Sequence, residues 1–194
     1  MRLVLASTSP YRRELLSRLR LPFEVAPPLY DEGSSPDLTP SDLALHNALK
    51  KAESLVPHHP GAVVIGSDQT AELDGRLLGK PGTPAPAVEQ LRAMRGRVVR
   101  FNTGLAVLSP AGAFTGLETV DVKLRELGER EILSYVAMEN PVDCAGSFKI
   151  EGLGIALMES VTGRDYTALI GLPLIMLTEF LGKSGVNVLS PFEQ

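Results

Sequence analysis

Glu32, Asp68, Arg12, Arg13, Lys51 and Lys80 are the side chains whose types most plainly suit chemistry in this 194-residue chain. Carboxylates can hold a divalent cation or activate water, and cations neutralise phosphate charge, so the set suits metal-assisted chemistry on a polyphosphate. Asp68 follows Ala62-Val63-Val64-Ile65, which reads as a buried strand giving way to a loop, and the carboxyl end of a strand is a favoured place for ligands. The competing reading is a turn aspartate bonded to its own backbone. Glu32 follows Asp31 in a polar, Ser- and Pro-rich stretch, where an acidic pair is either a metal ligand or simply solvated. Arg12 and Arg13 fall in the first turn of a helix opened by Ser9-Pro10. The helix dipole disfavours cations there, so the two arginines either point into water or help to bind an anion over the free amides. Lys51 flanks an apolar stripe, from which it either snorkels or turns its ammonium into a cleft. Lys80, between Gly79 and Pro81, is placed for a phosphate or for an exposed turn.

Several classes are excluded. There is no Walker phosphate loop, dinucleotide fingerprint or nucleophile elbow. His46, His58 and His59 stand in positions that do not suggest a serine–histidine triad. Cys144 is the one cysteine, so neither an internal disulfide nor a cysteine-built zinc site is expected, and a lone thiol behaves most often as a small buried hydrophobe. A net charge of −4 argues against a nucleic-acid partner. No membrane-spanning or secretory segment is legible, which makes the cytoplasm the expected location.

The elements that must position these groups follow from pattern. Residues 2–7 and 23–26 read as strands, and Leu15, Leu16 and Leu19 give the first helix its stripe. Thr39-Pro40-Ser41-Asp42 caps a helix reaching about Val56, with Leu45, Ala48, Leu49, Ala52 and Leu55 inward. Asp74-Gly75 predicts a hairpin turn, and Thr83-Pro84 opens a helix that Gly96 stops. Residues 97–108 and 114–125 read as long strands, the second alternating Val120, Val122 and Leu124 with Asp121, Lys123 and Arg125. A helix over 129–139, a strand over 154–161 and a closing helix from Leu172-Pro173 to Leu181 complete the chain, with a loose tail after Gly182. The mixture predicts an α/β fold with a mixed sheet, in one domain over residues 1–194.

Six segments, taken in order, carry a family resemblance: 7–16 (Ser-Thr-Ser-Pro-Tyr-Arg-Arg-Glu-Leu-Leu), Lys51-Ala52, Gly66-Ser67-Asp68-Gln69, Gly79-Lys80-Pro81, 144–149 (Cys-Ala-Gly-Ser-Phe-Lys) and Gly171-Leu172-Pro173. Together they resemble the Maf family of nucleoside triphosphate pyrophosphatases, once described as septum-formation inhibitors, from about Leu3 to Leu181. The resemblance implies an elongated two-lobed α/β fold similar to inosine triphosphate pyrophosphatases, with an active-site cleft between the lobes. It also implies Asp68 as the general base and Glu32 with Asp68 as ligands of a magnesium or manganese ion. Ser7, Arg13, Lys51 and Lys80 would line the triphosphate, and attack would fall between the α and β phosphates. Whether Asp68 is base, ligand or both stays open. The implied partner is a small-molecule nucleotide, with neither nucleic acid nor membrane, and a homodimer is a candidate assembly.

Tyr11, Gln69 and Glu151 further resemble the 7-methyl-GTP branch of that family, although Tyr11 stands where a tryptophan is associated with the branch. N7 methylation makes guanine cationic, and an aromatic face attracts a cation by about 0.5–2 kcal/mol. A carboxylate at Glu151 would accept from the guanine N1–H and amino group, while Gln69 offers both a donor and an acceptor. The alternatives are a preference for dTTP or UTP, and a non-catalytic nucleotide-binding regulator of cell division. Housecleaning of modified nucleotides is the implied purpose.

Overall fold

The computed structural model describes residues 2–31 and 37–190; Glu32, an expected metal ligand, lies outside the described residues. Seven strands form one mixed sheet: β1 (Leu3–Ala6), β2 (Phe23–Ala26), β3 (Val63–Leu73), β4 (Arg76–Leu78), β5 (Val98–Ser109), β6 (Gly112–Leu124) and β7 (Met158–Thr162). Their order is β2-β1-β3-β5-β6-β7, with β4 paired to β3. β1 runs parallel to both β2 and β3, in a register that sets Leu3 beside Val63 and Ala6 beside Gly66. β3–β4 and β6–β7 are antiparallel, so the sheet is mixed, as the pattern predicts.

The described residues divide into two compact units. The first draws on Met1–Gln69, Thr103–Glu118 and Asp165–Gln194 and carries the helices α1 (Pro10–Ser17), α2 (Pro40–Leu55), α5 (Thr167–Ile170) and α6 (Leu174–Lys183). β1 and the first half of β3 are buried on both faces, the mark of strands covered on both sides. Leu3, Leu5, Val63, Ile65, Leu105 and Val107 pack with Leu15 and Leu16 of α1 and Leu177 and Leu181 of α6. The alternate positions Val4, Ala6, Val64 and Ala106 pack instead on Ala48, Ala52 and Leu55 of α2, as the two-residue period of a strand requires. Beyond Gly182, where a loose tail is expected, Ser184 and Val186 are both buried in this unit.

The second unit comprises Thr70–Asn102 and Thr119–Arg164, with α3 (Pro84–Met94) packed on α4 (Glu129–Glu139). Val120, Val122 and Leu124 are buried. Between them, Asp121 takes both arms of Arg100 at 2.8 and 3.0 Å, and Lys123 pairs with Glu159. The Arg100 guanidinium holds the Asp121 carboxyl below the usual carboxylate range. Phe101 meets Phe148 edge to face at 5.0 Å.

One expected element is corrected in part. The predicted strand over 154–161 is a 3-10 turn, Leu153–Leu157, followed by β7. The Gly154 amide donates back to the Lys149 carbonyl at 3.1 Å, and a Cβ at Gly154 would collide with the Lys149 backbone, so the apolar run is folded back before it can extend. The four-residue α5 carries no periodic signal and was not predicted; it ends at Gly171, whose φ of 120° lies where side chains are strained. Among the described residues, no helix is long and apolar enough to cross a membrane.

Candidate active site

Asp68 does not stand at the end of its strand. β3 continues to Leu73 before the Asp74-Gly75 turn pairs it with β4, so the short apolar run that signals the strand covers only its buried first half. The carboxylate faces α2 from within a ladder, and the reading as a turn aspartate falls away.

Gly66 explains how α2 comes so close. A Cβ there would overlap the Ala48 carbonyl and the Ala52 amide and methyl, so the helix backbone rests on the strand where a side chain is missing. Two residues further along the same face of β3, Asp68 meets the polar positions of that helix. Lys51 Nζ donates to Asp68 Oδ1 at 2.6 Å, and Asn47 Nδ2 donates to Asp68 Oδ2 at 2.9 Å. Asp68, Lys51 and Asn47 are 8%, 5% and 5% exposed. Lys51 therefore does not snorkel; it turns its ammonium inward as part of a buried ion pair. Such a pair offsets much of its own desolvation, and removing one partner leaves a buried charge that costs about 3–5 kcal/mol.

On the other face of the strand, Ser67 and Gln69 hold the chain around α5. Ser67 Oγ lies 2.9 Å from the carbonyls of both Gly104 and Gly171. Gln69 Nε2 donates to Ala168 O at 2.7 Å and Leu169 O at 3.1 Å, with Thr103 Oγ1 also at 3.1 Å. The amide nitrogen has only two hydrogens, so the donor half expected to read a base is spent on the protein. Arg12 Nε donates to Gly171 O at 2.8 Å, which ties α1 to the same turn. The buried Asp165 braces this turn from below, accepting from Thr167 N, Thr167 Oγ1 and Ile175 N at 2.9, 2.6 and 2.7 Å.

The remaining expected residues of this unit surround α1. Ser7 is buried and its Oγ accepts from Ser9 N at 3.1 Å. Ser9 in turn accepts from Arg12 N as the helix cap. Tyr11 is partly exposed and Arg13 exposed.

Lys80 and Glu151, both exposed, belong to the second unit. There Gln90 of α3 joins two of the recognised segments: its Nε2 donates to Gly79 O at 3.0 Å, and its Oε1 accepts from Ser147 Oγ. Gly82 N also donates to Val142 O at 2.9 Å. Gly146, at φ 70° and close to Phe101 and Ala71, supplies the left-handed bend of the second segment. Cys144 is partly buried, and burial, helped by Asp143, pushes its thiol up to about 12. It is no nucleophile at neutral pH, in line with its expected packing role.

Sequence reasoning missed Asn47, Tyr30, Thr103 and Gln90. The Asn47 signal was present, since a polar residue one turn before Lys51 shares its helix face; those of Thr103 and Gln90 arise only from tertiary contact. Among the described residues, the Asn102 amide nitrogen is buried without a partner, and no three His, Cys, Asp or Glu side chains gather as a metal cluster.

A family model described as a Maf-like protein matches residues 2–184. A protein of Syntrophotalea carbinolica named 7-methyl-GTP pyrophosphatase is 53% identical over 190 residues, covering 96% of each chain. Proteins of the same name from Polaromonas sp. and Pseudomonas aeruginosa are 54% and 50% identical over 95% and 96% of this chain, and over 85% and 98% of their own. Among solved structures, the Ham1 protein of Staphylococcus aureus aligns with a TM-score of 0.52 at 15% identity, covering 94% of this chain and 98% of its own. A Ham1 protein from Coxiella burnetii aligns at 0.51 and 17%, covering 94% and 99%. These likenesses show a shared α/β fold.

Proposed function

The chain belongs to the Maf-like protein family, and on that premise we propose that it is a nucleoside triphosphate pyrophosphatase acting on 7-methyl-GTP or a similar modified purine nucleotide. The observation that carries this reading is the buried Asp68 carboxylate, gripped by Lys51 and Asn47, in a chain about half identical to relatives bearing that name.

In this reading Asp68 orients a water and takes its proton. The water oxygen bonds to the α-phosphorus, the bond to the bridging oxygen breaks, and pyrophosphate leaves the monophosphate. Each Asp68 oxygen spends one of its lone pairs on Lys51 or Asn47 and keeps another for the water. Lys51 brings positive charge to the place where phosphate charge accumulates. Ser7, Arg13 and Lys80 supply further phosphate donors.

A magnesium or manganese ion fits this donor chemistry, because carboxylate oxygens are the hard ligands such ions take and Asp68 retains lone pairs. Asp68 and Glu32 would hold it. When bound it supplies charge neutralisation and a more acidic water. Tyr11, Gln69 through Oε1, and Glu151 are the proposed base-reading residues. The test is kcat/KM on a panel with magnesium or manganese: 7-methyl-GTP is expected to exceed dTTP and UTP by at least about tenfold. A preference for dTTP or UTP would overturn the assigned substrate.

A further inference from the structure

Tyr30 lies four residues beyond β2, at the start of the stretch that carries the acidic pair. Its hydroxyl donates to Asn47 Oδ1 at 3.1 Å. One residue earlier, the Leu29 amide donates to Ser54 Oγ at 3.0 Å, and Ser54 Oγ in turn donates to the Lys51 carbonyl at 2.8 Å. The chain leaving β2 is thus fastened along α2 at two points, one on each side of Lys51.

The Asp68 carboxylate, which only accepts, requires Nδ2 of the Asn47 amide to face it, and the Tyr30 hydroxyl holds the other end of the amide in that orientation. Asn47 has an acceptor oxygen and a donor nitrogen at the two ends of one planar group. With Oδ1 taken by the Tyr30 hydroxyl, Nδ2 is left facing Asp68 Oδ2 at 2.9 Å. Reversing the amide would set oxygen against carboxylate and nitrogen against a hydroxyl that has lost its acceptor. Asn47 and Lys51 are spaced four apart, one turn of α2, and address different oxygens of the same carboxylate. Both torsions of Asp68 are therefore fixed by two donors, and the second donor is fixed by Tyr30.

We propose that Asn47 and Tyr30 are positioning residues: Asn47 holds the Asp68 carboxylate in its working orientation, and Tyr30 holds Asn47. This rests on the reading of Asp68 as the group that orients water. Neither residue needs to touch substrate, so their loss should lower turnover and leave substrate binding largely intact. A hydrogen bond to a charged group is among the stronger ones in proteins, and a misaligned base loses rate steeply. Asn47→Leu keeps the volume and removes both contacts; its kcat should fall about 10- to 100-fold with KM changed less than about threefold. Tyr30→Phe should lower kcat about two- to fivefold, because the amide then keeps only one of its two anchors. In the Asn47→Leu background, Tyr30→Phe should have no further effect, since Tyr30 acts through Asn47.

The experiment is a double-mutant cycle on kcat and KM, alongside the Asn47 side-chain amide signal in nitrogen–proton spectra. The spectra are expected to show a single Asn47 amide protected from solvent exchange in the wild-type protein and exposed to it in Tyr30→Phe. A kcat unchanged in Asn47→Leu, a loss confined to KM, or additive effects of the two substitutions would each overturn the proposal. A wild-type protein with no turnover would overturn the reading of Asp68 instead. The amide spectra then decide the Tyr30–Asn47 link on their own: protection that does not depend on Tyr30 would sink it.

Discussion

Asp68 and Lys51 show how a residue's role is set by its surroundings. Each is an ordinary surface type, and each is nearly buried because the other neutralises it. An ion pair at this depth is poor ground for claiming stability; the proposed function gives it a use, as a dry, oriented carboxylate. Cys144 is the opposite case: a reactive type that its surroundings silence. With its thiol pushed up to about 12, it stays protonated through the neutral range. At pH 8 a soluble thiol reagent should label the native protein on the order of 100-fold more slowly than the denatured chain, even allowing for the greater nucleophilicity of a high-pKa thiolate. The native rate should climb as pH rises toward the raised value. A native rate equal to the denatured one would show that the thiol is neither buried nor suppressed.

At the scale of elements, the site depends on how closely α2 approaches β3, and Gly66 governs that distance. Gly66→Ala would drive a methyl into the Ala48 carbonyl and the Ala52 amide, both helix backbone that cannot rotate away. The substitution should cost about 1–3 kcal/mol, read from urea unfolding, and should reduce activity in the protein that remains folded by displacing Asn47 and Lys51 from Asp68. A Gly66→Ala protein as stable and as active as the wild type would mean that α2 does not rest on β3 at Gly66. Much of this element was legible: the Thr39-Pro40 start, confirmed by Thr39 accepting from Asp42 N, and the inward Ala48, Ala52 and Leu55. What the apolar pattern could not reveal was that Asn47 and Lys51 share the buried face while Leu45 and Leu49 are only partly covered. Periodicity assigns burial by hydrophobicity, and a polar pair buried against a carboxylate inverts that rule. The strand expected over 154–161 holds only from Met158 onward, since composition alone does not reveal a backbone folded back at Gly154.

At the scale of the whole molecule, the mixed sheet and most helices could be read because local signals agreed with one another: caps, turn residues and two-residue alternation. The recognised segments divide between the two units, with 7–16, Lys51-Ala52, Gly66–Gln69 and Gly171–Pro173 in one, and Gly79–Pro81 and 144–149 in the other. Within each unit their meeting is physical, through the Gly171 carbonyl in the first and through Gln90 in the second. Order along the chain gave these segments a family; contacts explain why several of them contain glycine, serine or arginine. In the proposed function this molecule cleaves a nucleoside triphosphate with Asp68 as its working carboxylate. The most direct test is pyrophosphate release from 7-methyl-GTP with magnesium or manganese, comparing the wild type with Asp68→Asn, a substitution that keeps the shape of the side chain. Robust release by the wild type, and a kcat lower by about 100-fold or more in a variant that remains folded, is the predicted result. No release by the wild type, or equal release by Asp68→Asn, would contradict it.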